Sequence, residues 1–194
     1  MTAHAFLAEA PESAARTAAY DADLAFDGYV NNLTRVWGWR PDQLTAFQTL
    51  RNDLGAASSL SAREFAVLVA ATAAARGDSY CALAWGTTLA GLSDDATAAA
   101  VLQGRDADLS EREAALARWA RQVVVDPNAT SQTDVDRLRQ AGLDDREIFE
   151  ATTWIAFRMA FSTINDALGA APDLQLAKKA PSAVREAVTF GRQP

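Results

Sequence analysis

The sequence predicts an all-α fold in one domain. Three stretches place Ser or Asp three residues before Glu, each at the head of an apolar or amphipathic run: Ser61 with Glu64, Ser110 with Glu113, and Asp144 with Glu147. In this capping-box arrangement the first side chain accepts from the N3 amide, and the N3 Glu reaches back to the first amide. A second observation is the period of Ile148, Thr152, Ile155, Met159 and Leu168, with Phe149, Ala156, Ala160 and Ile164 widening the stripe. A third is that only Val123-Val124-Val125 reads as strand, and Asp126-Pro127 cuts it short.

Taken in order, helices are expected over Ala5–Tyr20, Pro41–Leu54, Ser61–Arg76, Ser79–Ala90 and Ala96–Gln103. Further helices are expected after Ser110, over Thr133–Gln140, over Ile148–Leu168 and over Pro181–Phe190. Gly142 separates two helices, and Gly169 followed by Pro172 closes the long one. The same offset separates Leu60 from Leu143 and Gly86 from Gly169. It fits either an internal duplication of a helix-pair unit or two independent capped, buried helices.

The 194 residues suffice for one real core, and 49% apolar with 22% charged residues is globular rather than disordered. No Gly/Ser/Pro-rich linker divides the chain. A net charge of −7, with Lys178 and Lys179 the only lysines, argues against a nucleic-acid partner, whose phosphates need clustered cations. Met1–Glu12 lacks the basic start and apolar run of a signal peptide. The longest apolar stretch, Phe65–Ala75, falls short of the roughly 20 residues that span a bilayer. One cysteine, Cys81, excludes an internal disulfide and fits a reducing compartment, so a cytoplasmic location is expected.

The chemistry the sequence can support is narrow. His4 is the only histidine, so Ser-His-Asp and Cys-His catalysis have no core base, and a zinc site lacks ligands. No glycine-rich phosphate loop is present, and no cofactor is implied. The turn Gly77-Asp78 sets Asp78 as N-cap of the next helix and Cys81 at N3, where free amides favour an anion. Against that, an ionised Asp78 nearby disfavours a thiolate.

The segment from Leu60 to Gly86 resembles the helix pair of the alkylhydroperoxidase D / carboxymuconolactone decarboxylase family. There an L-S-x-R-E start leads through an apolar helix to Cys-x-x-Cys, with a histidine four residues on. Leu109-Ser-Glu-Arg-Glu113, Asp126-Pro127-Asn-Ala-Thr130, Asp134–Leu143 and Ile164-Asn-Asp-Ala-Leu-Gly169 resemble its peroxidase-related branch, as do Tyr29–Val36 and Arg40-Pro41. The resemblance covers roughly residues 26–172 and leaves 173–194 as a C-terminal extension. It implies a helical fold, a homo-oligomer and a hydroperoxide or other small organic substrate.

At the positions where the family carries its redox pair and proton relay, this chain keeps only Cys81. Asp78 stands at the first cysteine position, Trp85 at the histidine and Ala66 at the relay Glu, while Ser162-Thr163 replaces a frequent Asn-Arg pair. Glu64 cannot substitute for Ala66, because two residues on a helix rotate a side chain by about 200°. The candidate site is therefore Cys81 and Asp78, with Trp85, Tyr80, Ala66 and Arg158 around it.

Each of these residues has a structural reading beside the functional one. Asp78 is a cap, or a proton-relay or substrate-binding carboxylate, and Cys81 is a buried small residue or a lone nucleophile. Trp85 and Tyr80 are packing or pocket wall. Arg158 either pairs with a carboxylate such as Glu150, or snorkels outward, or binds an anion. Trp37-Gly38-Trp39 reads as packing or an oligomer contact.

Overall fold

Helix α4 (Ala62–Arg76) is apolar all round, and a helix of that kind must be covered on every side. Ala66 through Ala73 are all buried, packed by α5 (Ser79–Leu92), α6 (Asp95–Leu102), α7 (Glu111–Val125) and α9 (Asp145–Ala167). Burying Val67, Leu68 and Val69 contributes on the order of 1.5–3 kcal/mol each. A computed structural model describes residues 5–194 as eleven α-helices and one 3₁₀ turn, with no strand among the described residues. His4 and the first part of the Met1–Glu12 stretch lie outside the described residues.

The three capping boxes form as the spacing requires, and a fourth, Ser131 with Asp134, opens α8 (Gln132–Gln140). Arg112 joins three of these helix starts. Its Nε donates to Glu64 at 2.5 Å and its Nη2 to Glu147 at 2.6 Å. The first turns of α4, α7 and α9 thus meet at one guanidinium.

Several elements differ from the sequence reading. The first helix is α1 (Ala14–Asp27), not Ala5–Tyr20: Pro11 lies inside the expected span, and Ser13 accepts from the Arg16 amide to start the helix later. Val123-Val124-Val125 is the last turn of α7 rather than a strand, because the amphipathic run from Ser110 outweighs three β-branched residues. Phe149, Ala156, Ala160 and Ile164 do not widen the buried stripe of α9. They are exposed, Phe149 by 70%. Two short helices had no clear signal, α2 (Asn32–Trp37) and α10 (Leu174–Lys179), and Pro181–Phe190 shortens to α11 (Ser182–Ala187). Gly86 lies inside α5, whereas Gly169 takes a left-handed turn just after α9, so the shared offset falls on different settings.

Two apolar clusters result. The main core centres on α4 and includes the C-terminal residues Val184, Ala187 and Val188. Gly86 makes room for that closure, since a Cβ there would lie 2.7 Å from Leu102 and 2.9 Å from Val184. A separate aromatic cluster of Trp37, Leu44 and Phe161, flanked by Phe47, fastens α2 and α3 (Pro41–Ala57) to α9. Within it Trp37 stacks on Phe161 at 5.5 Å, and its Nε1 donates to Asn165 at 2.8 Å. Trp39, by contrast, is half exposed and donates to the Ala8 carbonyl. Among the described residues no helix is long and apolar enough to cross a membrane.

Candidate functional site

Gly77 ends α4 in the left-handed conformation, which a glycine adopts without strain, and the chain turns at once into α5. Asp78 is the N-cap: its Oδ1 accepts from the Cys81 amide at 2.9 Å. Its other carboxylate oxygen accepts from the Ser162 hydroxyl of α9. Asp78 is 1% exposed, so both bonds run inside the protein, and the cap also ties α5 to α9.

Cys81, at N3 of α5, is 2% exposed. Burial pushes its thiol up to about 12, with Arg158 pulling down and Asp78 pushing further up. At neutral pH the group is a thiol, and the dipole of α5 does not overcome its desolvation.

Arg158 departs from both structural expectations. It neither pairs with Glu150 nor reaches solvent: it is 7% exposed, and Glu150 accepts instead from Arg146 at 2.7 Å. The Arg158 Nη2 points at the Cys81 sulfur, 3.0 Å away. Its guanidinium carbon lies 5.8 Å from the Trp85 ring centre and 5.2 Å from that of Phe161. Its Nε is buried with no acceptor. Trp85 is half buried against the main core and forms one wall beside this guanidinium.

Asp78, Cys81, Trp85 and Arg158 therefore come together at the seam between the main core and the aromatic cluster. Tyr80 and Ala66 do not share the polar cluster. Tyr80 donates to Asp173, whose other oxygen accepts from the Asn32 amide at 3.0 Å. Asp173 also lines a separate cleft of about 470 Å³ with Tyr29, Arg35 and Pro194. Ala66 is fully buried in the main core, and Glu64 faces Arg112.

Sequence reasoning missed one member of the cluster and one charged residue near it. Ser162 stood out only as a departure from a family pattern, and its bond to Asp78 depends on how α9 docks on α5. Arg51 of α3 is half buried, and burial followed by the Arg158 charge draws it below the ordinary arginine value. Its signal was the shared face of Phe47, Arg51 and Gly55. Phe47 packs on Phe157 and Phe161, and Gly55 lies against Trp154. Among the described residues no group of three His, Cys, Asp or Glu side chains is set to hold a metal ion.

Two solved structures are similar over nearly the whole chain. One is an uncharacterized peroxidase-related protein from Silicibacter sp. TM1040, 21% identical, with a TM-score of 0.76 over 86% of this chain and 88% of that one. The other, from Ralstonia eutropha JMP134, is an uncharacterized peroxidase-related protein described as an alkylhydroperoxidase AhpD core. It is 23% identical, with a TM-score of 0.77 over 89% of this chain and 94% of that one. The fold is alkylhydroperoxidase D-like. No protein-family model matches the sequence, and no curated protein does.

Proposed function

We propose that this chain is a divergent member of the alkylhydroperoxidase D / carboxymuconolactone decarboxylase family, from its peroxidase-related branch. It has lost dithiol peroxidase chemistry and holds a small organic molecule at a non-redox site around Asp78, Trp85 and Arg158. The observation that carries this is the state of Cys81. It has no partner cysteine, the described residues include no histidine, and it is buried with its thiol raised to about 12. A peroxidatic centre needs an accessible thiolate. Stopped-flow reaction with cumene hydroperoxide should run no faster than with free cysteine. A rate well above that, abolished by Cys81→Ser, would overturn the reading.

One contact supports a second reading, a single-cysteine peroxidase. Arg158 Nη2 lies 3.0 Å from the sulfur and would stabilise a thiolate. The thiolate would attack a hydroperoxide oxygen, the O–O bond would break to release the alcohol, and an external thiol would resolve the sulfenic acid. The same rate measurement decides between the two.

The chain is further proposed to work as a homo-oligomer in the reducing cytoplasm, with or without catalysis. Exposed Phe149, Val125 and Ile164 leave apolar surface of the kind that contacts between copies cover. Light scattering showing a strict monomer across micromolar concentrations would refute the oligomer.

A further inference from the structure

A second recess lies apart from the Cys81 cluster, in the cleft of about 470 Å³ between the start of α2, the start of α10 and the final segment at Gln193. Small-molecule sites occupy roughly 300–1,000 Å³. The groups that line this one keep hydrogen-bonding capacity. Asp173 is 4% exposed; its two oxygens accept from the Asn32 amide and the Tyr80 hydroxyl, and each retains a second lone pair. Arg35 reaches Glu9 through Nη1 at 3.3 Å, whereas its Nε is buried with no acceptor among the described residues. Such orphaned donors are rare, because each forfeits its bond to water.

The Tyr29 hydroxyl forms no hydrogen bond among the described residues. Burial first, and the Asp173 charge second, push it up to about 12, so at neutral pH it can both donate and accept. Gln175 and Gln193 add exposed amides, and Val30, Pro172 and Leu174 supply apolar wall. Charge disfavours an ionic occupant of either sign. An anion would meet the carboxylates around Tyr29, which are Asp173, Asp27 and Asp23. A cation would meet Arg35 and also Lys179, whose Nζ lies 5.7 Å from the Tyr29 ring centre.

We infer that this cleft binds an uncharged polyhydroxy compound of the size of a monosaccharide or cyclitol, with Asp173, Arg35 and Tyr29 as its binding residues. Each hydroxyl of such a ligand both donates and accepts, so neighbouring hydroxyls can give to Asp173 and take from Arg35. The C–H faces of the ring then lie on the apolar wall. This site is separate from the one around Asp78, Trp85 and Arg158, and neither reading depends on the other.

The test uses the full chain at pH 7 with methyl α-D-glucopyranoside and myo-inositol, read by saturation-transfer NMR and calorimetry. Glycine, sodium lactate and ethanolamine hydrochloride serve as charged controls. At least one polyol should saturate below about 10 mM, at least about tenfold tighter than any control. Tyr29→Phe removes a hydroxyl that bonds to no described residue, and Arg35→Leu removes the orphaned donor. Each should weaken the polyol at least about threefold, with circular dichroism confirming that the fold is kept. A control that binds as tightly as the polyols would overturn the neutral assignment. Affinity unchanged in both variants would overturn the placement in this cleft, and failure of both polyols to saturate by about 10 mM would overturn the site.

Discussion

The Ser162 hydroxyl donates to the Asp78 carboxylate across the interface of α5 and α9, inside the protein. Asp78 is thus more than a local cap. It satisfies an amide of its own helix and a hydroxyl of another.

Replacing Asp78 by Asn should be well tolerated, because Asn caps about as well as Asp and Ser162 can turn to accept from the new amide. Asp78→Ala removes the cap, worth about 0.5–2 kcal/mol, and strands the Ser162 hydroxyl, worth about 1–3 kcal/mol more. Thermal melts should therefore rank wild type and Asn together, with Ala well below. If Ala melts with the wild type, the capping account fails.

Cys81 should react slowly with disulfide reagents such as dithiobis(nitrobenzoate) in the folded protein. Its thiol stands near 12, so the rate should climb about tenfold per pH unit from 7 to 10 without levelling off. A plateau near pH 8 would mean that the sulfur is exposed or that Arg158 holds it as a thiolate.

Arg112 is the joint of three helix starts. Arg112→Met leaves Glu64 and Glu147 mostly buried without their cation, at a cost of about 2–4 kcal/mol. Denaturant titration of this variant should show that loss with an unchanged m-value. A loss under 1 kcal/mol would mean that solvent already neutralises the pair.

Asp166, one turn beyond Ser162, has its carboxyl raised to about 6 by burial first and by the Asp78 charge second. A raised folded value means that the folded state holds the proton more tightly than the unfolded one. This contribution is therefore complete below about pH 4 and is lost as pH rises through 6. The group is partly exposed, and screening leaves roughly 1 kcal/mol. Melting curves from pH 4 to 7 should fall for the wild type relative to Asp166→Asn. Parallel curves would count against it.

What the sequence made legible was local. The capping boxes at Ser61, Ser110 and Asp144, the Asp78 cap and the Gly169 stop depend on residues a few positions apart, and each forms as its spacing requires. What stayed hidden depends on docking. Arg158 looked like a residue for a carboxylate until α9 was set against α5. Phe149 and Ile164 share the apolar character of Ile148 and Ile155, and periodicity alone cannot say how wide the buried face is.

The closure of the main core by Val184, Ala187 and Val188 bears on how the chain is made. Gly191 seals it, since a Cβ there would lie 2.7 Å from the Gly77 carbonyl, while Ser79 Oγ donates to the Arg192 carbonyl at 2.6 Å. A polypeptide emerging from the ribosome N-terminus first builds α4, α5 and α6 long before these residues exist. The faces around Gly86 and Leu102 then stand open to water and to chaperones until the final segment arrives. A chain stopped at Pro172 should accordingly behave as a helical intermediate that binds apolar dyes and recruits holdases, and adding residues 173–194 should abolish both.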